Sequence, residues 1–238
     1  VTTSLERTIA VQVSQVFGER VVALLYYGSR AFGSRSVSSA SDYDLTLVLD
    51  THRPSDLIEL AEVTQPHPSL DLSVHFLDEL EHWGWHRFQE GDQGPFALGY
   101  LGASITLLGT NIFADAFDGV AADEFRRSLR RKVHEYFWRL DHWLLIREHD
   151  RSFRLDYRKY LARIAQDLYL VADEMTFSDI NRLGTDRFLE SVGARSDVLS
   201  TATKTALGAL SDGPLTIDAL VHARLQLAAD FRRLCADA

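Results

Sequence analysis

The chain has 238 residues, 46% of them hydrophobic and 25% charged, values ordinary for a folded globular protein with room for one large domain or two modest ones. A formal charge of −9 argues against a protein that follows a nucleic-acid backbone, which needs a basic stripe, and no apolar run reaches the roughly 18 residues of a membrane span. The single cysteine, Cys235, excludes an internal disulfide and a cysteine metal cluster; with a beginning, residues 1–7, that lacks a signal-peptide pattern, it sets the expectation of a reducing compartment, the cytoplasm.

In chain order the pattern predicts a helix over 3–17 and then a strand over 21–27, Val21-Val22-Ala23-Leu24-Leu25-Tyr26-Tyr27, running into Gly28-Ser29. A second strand follows over 44–50, preceded by Ser41-Asp42-Tyr43. A helix near 55–63 is stopped by Pro66 and Pro68, and a third strand spans 71–77. Asp42 and Asp44 are two apart on an extended segment, so their side chains leave from one face. Two carboxylates on one face can share a divalent metal such as Mg²⁺, which completes its octahedron with water and substrate phosphate. Gly28 lets the backbone approach a phosphate closely, and Ser29 offers a hydroxyl and an N–H. Asp71 stands at the entrance of the third strand, where it can lie beside the Asp42/Asp44 strand as a third acid. Acids around one or two metals favour in-line attack on a phosphoryl group, and one of them can take the proton of an attacking hydroxyl.

The Asp118-Gly119 pair marks the expected domain boundary, after which the chain reads as helical. Asp123 to Glu148 presents Phe125, Leu129, Val133, Phe137, Leu140 and Leu144 on one face. Tyr157, Leu161, Ile164, Leu168 and Val171 form the stripe of another helix. Helices near 186–192, 197–210 and 215–235, the last introduced by Pro214 and carrying Leu220, Leu225, Leu227 and Phe231, complete a bundle. The expected fold class is therefore α+β: a mixed sheet with helices over 1–118, then a helical bundle over 119–238.

The segments Gly28-Ser29-Arg30-Ala31-Phe32-Gly33, Ser41-Asp42-Tyr43-Asp44-Leu45 and Leu70-Asp71-Leu72-Ser73-Val74 together resemble the DNA polymerase β type of nucleotidyltransferases. More narrowly they are similar to bacterial antibiotic adenylyltransferases of the streptomycin/spectinomycin type, in which a leucine–glycine pair is followed by a polar residue and a phenylalanine. Thr106-Leu107-Leu108-Gly109-Thr110-Asn111-Ile112-Phe113 matches that stretch. The third acid of the streptomycin-type enzymes is a glutamate, so Asp71 carries over more safely as metal ligand than as base; Glu81 or Glu90 are alternative bases. The resemblance implies a nucleotidyltransferase domain over 1–118 and a bundle over 119–238 that closes the active-site cleft. It further implies a basic residue on a bundle helix that contacts ATP, for which Arg158 and Lys159, with Arg163, are the candidates.

The expected reaction is Mg²⁺-dependent transfer of AMP from ATP to a hydroxyl of a small cationic acceptor of the aminoglycoside type. Asp42, Asp44 and Asp71 are the expected metal and catalytic residues; Gly28, Ser29, Arg30, Arg158 and Lys159 are expected to bind the nucleotide. Residues 1–118 hold 6 Lys+Arg against 16 Asp+Glu, whereas 119–238 hold 19 against 18, and an acidic catalytic half attracts a cationic acceptor over long range. The same imbalance also fits a merely soluble surface. No nucleic acid or membrane partner is expected; a homodimer or a protein partner stays open. Adenylylation of a protein, as in toxin–antitoxin pairs, and a non-catalytic nucleotide-binding module are the alternative readings.

Other features have plain structural readings. Arg35 is a loop residue, and the basic run Arg126-Arg127 with Arg130-Arg131-Lys132 is a solvated helix face. Trp83, Trp85, Trp138 and Trp143 are packing residues. His82 and His86 have helical spacing but lack the glutamate of a zincin.

Overall fold

The computed structural model describes residues 4–32, 43–83 and 94–236. Two compact units emerge, Val1–Phe125 and Arg126–Ala238, and the Asp118-Gly119 pair lies inside the first.

The first unit opens with helix α1 (Leu5–Phe17), whose Ile9, Val13 and Phe17 recur every four residues and are buried. A 3₁₀ turn, Gly18–Arg20, leads into strand β1 (Val21–Tyr27), followed by the one-turn helix α2 (Gly28–Ala31). Strand β2 (Tyr43–Leu49), helix α3 (Asp56–Thr64) and strand β3 (Leu70–Phe76) form a right-sized βαβ unit with β2 and β3 parallel. Helices α4 (Leu77–Trp83) and α5 (Gly94–Gly102), strand β4 (Ile105–Gly109) and helix α6 (Ile112–Asp118) follow. The sheet order is β3-β2-β1-β4, with β1 antiparallel to both β2 and β4, which makes the sheet mixed.

The two-residue period of the strands sorts the side chains into two cores. On one face Leu24, Tyr26, Leu45, Leu47, Leu49 and Phe76 pack with α1 and with Leu60 and Val63 of α3. On the other, Ala23, Leu25 and Val48 pack with Leu80, Leu98, Leu101 and Phe113. This second face carries Asp44 and Asp71 at its open end.

At the far end of β2 a partly buried ionic cluster fixes the sheet. The Arg20 guanidinium donates to both Asp56 oxygens at 2.7 and 2.9 Å, to Asp50 at 3.2 Å and to the Thr51 carbonyl at 2.7 Å. Asp56 is wholly buried, and its Oδ2 also accepts from the Arg53 N–H at 2.8 Å. The Arg20 guanidinium, first among the causes, holds the Asp56 carboxyl below its usual range.

Helix α7 (Ala122–Ile146) begins in the first unit. In the second, the chain continues through α8 (Arg151–Val171), α9 (Phe177–Ser191), α10 (Thr201–Asp212) and α11 (Ile217–Ala236). The predicted stripes form its core: Leu129, Val133, Phe137 and Leu140 of α7, Tyr157, Leu161, Ile164 and Leu168 of α8, Leu220 and Leu227 of α11 are all buried. Caps set the boundaries. Asp150 accepts from the Phe153 N–H at 2.7 Å, and Thr176 and Asp179 form a reciprocal capping box that starts α9. That helix begins well before the expected residue 186 and is broken at Gly184, where φ is 62°.

Three expectations about side chains are corrected. Lys132 is not on the solvated face: it is buried and pairs with Asp167 at 3.1 Å, because it leaves α7 on the side that meets α8. Burial, opposed by the Asp167 charge, lowers Lys132 to a pKa of about 8, and burial likewise raises Asp167. Leu225 is exposed, since it turns away from the face that carries Leu220 and Leu227. Trp138 is 62% exposed and stacks on His142 with ring centroids 5.2 Å apart, whereas Trp143 packs against Tyr160 as expected. No helix of the described residues is long and apolar enough to cross a membrane.

Candidate active site

The site is built where β1 ends and β2 and β3 begin. In the parallel pair the register sets Asp44 opposite Asp71 and Thr46 opposite Ser73; in the antiparallel pair Tyr27 faces Asp44. All five side chains therefore share one face of the sheet. Neighbouring strands lie about 4.8 Å apart, which brings the two carboxylates side by side. The expectation that Asp71 lies beside the Asp44 strand is met residue for residue.

Gly28 completes this corner. Its φ is +77°, a conformation open to glycine, and a Cβ there would stand 3.0 Å from Asp44 Cγ and closer still to Oδ2. Only a residue without a side chain leaves the Asp44 carboxylate in place. The chain then turns through α2, where the Arg30 guanidinium lies 4.4 Å from the centre of the Tyr43 ring, itself stacked on Tyr26 at 6.2 Å. Arg30 is thus held against the strand that bears Asp44. Of Ser29 the backbone belongs to this turn. Asp42 and Arg35 lie outside the described residues, as do Trp85, His86 and Glu90. Glu81 is an exposed residue of α4.

Below the acids the face turns from charged to hydroxylic. Thr46 Oγ1 and Ser73 Oγ are 2.7 Å apart, Ser73 Oγ is 3.4 Å from the Leu45 carbonyl oxygen, and Thr46 is buried. Burial, reinforced by the Asp44 and Asp71 charges and opposed by the nearby Thr46 and Ser73 hydroxyls, raises the pKa of the Tyr27 hydroxyl. Tyr100 of α5 meets the Tyr27 ring edge-on at 5.7 Å and stacks on Phe96 at 6.1 Å. Deeper still, burial lowers His75 to a pKa of about 4, and its ring meets Phe113 edge-on. Sequence reasoning did not single out Tyr27, Thr46 or Ser73. For Thr46 and Ser73 a signal was present, since each lies two positions beyond an acid, on the same face.

A divalent metal fits this donor set. Among the described residues no group of three or more His, Cys, Asp or Glu forms that could hold a metal. The Asp44–Asp71 pair nevertheless offers hard carboxylate oxygens from two strands beside a backbone turn without a side chain, the oxygen-rich and partly open environment that Mg²⁺ takes with a phosphate substrate.

The matched Leu108-Gly109 stretch has a structural explanation. Gly109, at φ +68°, pairs with Ala23 where a Cβ would meet the Val22 backbone, its carbonyl carbon only 2.7 Å away. Asn111 caps α6, accepting from the Phe113 N–H at 3.1 Å while its Nδ2 donates to the Leu101 and Gly102 carbonyls at 3.0 and 3.1 Å. In the helical unit, the Arg158 guanidinium pairs with Asp186 and donates to the Leu210 carbonyl at 3.3 Å, while Lys159 is exposed. Arg163 lies over the Tyr160 ring at 5.7 Å.

No family model and no curated protein matches the sequence. Among solved structures the chain is similar to spectinomycin adenyltransferase AAD(9) from Enterococcus faecialis, crystallised with ATP and spectinomycin. The TM-score is 0.61 at 10% sequence identity, covering 98% of this chain and 100% of that one. The chain shares the fold of that enzyme. At that identity the likeness establishes architecture, and it extends over both units, in agreement with the expected α+β fold class.

Proposed function

We propose that the protein is a Mg²⁺-dependent nucleotidyltransferase that moves AMP from ATP to a hydroxyl of a small cationic acceptor of the aminoglycoside type. The observation that carries this reading is the Asp44–Asp71 pair, in register on adjacent parallel strands beside the Gly28 turn. Its support is the adenyltransferase fold, the solved relative being a spectinomycin-modifying enzyme. The acidic balance of residues 1–118 suits an acceptor with ammonium groups.

In the proposed reaction the acceptor oxygen attacks the α-phosphorus. An O–P bond forms there, the bond from the α-phosphorus to the bridging oxygen breaks, and pyrophosphate leaves with the electron pair. Asp44 and Asp71, with Asp42, would hold the metal, which when bound offsets charge on the triphosphate and its developing oxyanions. The Gly28 turn lets the triphosphate approach the backbone; for Arg30, whose guanidinium lies over Tyr43 on the α1 face of the sheet, a phosphate contact rests on the sequence expectation alone. Asp71, the more exposed acid, can instead take the proton of the acceptor hydroxyl. For Arg158 and Lys159 a nucleotide role rests on the family resemblance alone; Asp186 and Leu210 already engage the Arg158 guanidinium.

The test is to incubate the protein with Mg²⁺, α-labelled ATP and a panel containing spectinomycin and streptomycin, and to follow the label. Label on one of these compounds, with pyrophosphate released, is expected. Label on a protein would replace the antibiotic acceptor, and tight ATP binding without pyrophosphate release would overturn the enzymatic reading.

A further inference from the structure

We propose that the hydroxyl cluster of Tyr27, Thr46 and Ser73 is a positioning device that fixes the spacing of Asp44 and Asp71 and couples it to the Gly28 turn. The inference rests on the nucleotidyltransferase reading of that carboxylate pair and adds to it three residues with no assigned role.

The cluster spans three adjacent strands on one face: Thr46 from β2 and Ser73 from β3 lie one side-chain layer below the acids, and Tyr27 from β1 is level with Asp44. Its protons can be assigned so that each is used once. Thr46 donates to Ser73 Oγ across 2.7 Å, and Ser73 donates to the Leu45 carbonyl at 3.4 Å, with the Tyr27 hydroxyl close enough to both for them to act on its pKa. The chain of bonds therefore ends on the backbone of the residue next to Asp44.

Two like charges side by side on neighbouring strands repel, and cross-strand neighbours of the same sign destabilise a sheet. A hydrogen-bonded Thr–Ser pair immediately below resists that splaying by holding the strands together at the point where the repulsion acts. Tyr27 extends the same restraint to β1, and since Gly28 is its chain neighbour, the turn beside Asp44 is tied to the cluster as well. The Tyr100 ring packs edge-on against the Tyr27 ring at 5.7 Å.

Stability alone does not call for hydroxyls here. Thr46 is 1% exposed and surrounded on its strand by buried leucines and valine, so a valine of the same shape would pack there without a polar group to satisfy. A structural role and a positioning role therefore make opposite predictions for Thr46→Val. The first predicts lost stability with unchanged ion binding; the second predicts a stable fold in which the carboxylates bind a divalent ion less well.

The experiment measures Mn²⁺ binding by calorimetry, in the presence of a non-hydrolysable ATP analogue, for the unaltered protein and for Tyr27→Phe, Thr46→Val, Thr46→Ser and Ser73→Ala, with chemical denaturation of each. The expected result is a drop in Mn²⁺ affinity of about tenfold for Tyr27→Phe, Thr46→Val and Ser73→Ala, the lower end of what outer-shell partners of metal ligands contribute. Thr46→Ser keeps the hydroxyl and is expected to stay within about twofold, with an unfolding midpoint for Thr46→Val at or above that of the parent. Unchanged Mn²⁺ affinity in the three variants would overturn the positioning role while leaving the nucleotidyltransferase reading intact. Absence of Mn²⁺ binding by the unaltered protein, or equal binding by Asp44→Asn, would overturn both. If Ser73→Ala does not fold, Thr46→Val, read against Thr46→Ser, decides alone.

Discussion

The sheet unit and the helical unit arrange their charges in different ways. In the helical unit Lys132 and Asp167 form a closed ion pair between two helices, and the surrounding residues are the apolar stripes that hold α7 and α8 together. In the sheet unit charge collects at the two ends of β2. At one end Arg20 answers Asp50 and Asp56 with a bidentate guanidinium; at the other, two carboxylates stand side by side over a layer of hydroxyls. The first two arrangements neutralise themselves and serve the fold. The third concentrates negative charge, as a site does that is completed by a ligand.

This contrast can be broken most severely at Asp56. Asp56→Ala leaves Arg20 facing a buried gap and is expected to destabilise the protein by roughly 3–5 kcal/mol, measured by urea unfolding at neutral pH. Lys132→Met tests the helical counterpart. It strands Asp167 in an apolar environment and is expected to lower stability by about 3 kcal/mol, whereas adding Asp167→Leu should recover most of that loss because both charges are then gone. A double variant as unstable as the single one would mean that the pair contributes more than mutual neutralisation.

Gly28→Ala sharpens the contrast at the third arrangement. The left-handed backbone disfavours alanine by roughly 1–3 kcal/mol, and the new methyl displaces the Asp44 carboxylate. Nucleotidyl transfer is expected to fall by about a hundredfold, the effect of a displacement near 1 Å at a reacting centre. Activity close to that of the parent would show that Asp44 need not stay where it is.

The smallest effect concerns pH. Burial gives His75 a folded pKa of about 4, below its value near 6.5 in the unfolded chain, so folding favours the neutral ring. Stability from this source is complete above pH 6.5. It declines as pH falls from 6.5 to 4, where the unfolded chain binds a proton that the folded one refuses, by at most about 3 kcal/mol. His75→Leu should remove that part of the slope, seen as a smaller difference between denaturation midpoints at pH 7 and pH 4.5; an unchanged slope would place its origin in the carboxylates alone.

Much of this was legible in the sequence, for reasons that differ between the units. The strands β1, β2 and β3 follow from short apolar runs bounded by turn residues, and Asp71 opposite Asp44 follows from the motif once β2 and β3 are taken as a βαβ pair. The α7 and α8 stripes follow from helical period, because their buried leucines and aromatics recur at three and four residues. Helices α5 and α6 were not anticipated. α5 is apolar nearly all round, Gly-Pro-Phe-Ala-Leu-Gly-Tyr-Leu-Gly, and offers no amphipathic pattern, and α6 depends on an asparagine cap within a stretch that had been read only as part of the family motif. Lys132 was misplaced because a basic run looks like a solvated face until its acidic partner, 35 residues away, is known. The hydroxyl cluster was hidden for a related reason. Thr46 and Ser73 acquire meaning through strand register, which no local pattern states.

The most direct test of the central claim is pyrophosphate release by Asp44→Asn. The substitution keeps the shape of the side chain and removes its charge, so circular dichroism and thermal unfolding should match the unaltered protein while release from Mg²⁺ and ATP, with an accepted acceptor present, falls by two or more orders of magnitude, on the order expected for loss of a group acting on the reacting phosphate. Release at the parental rate from a correctly folded Asp44→Asn protein would contradict the assignment of the Asp44–Asp71 pair as the catalytic centre.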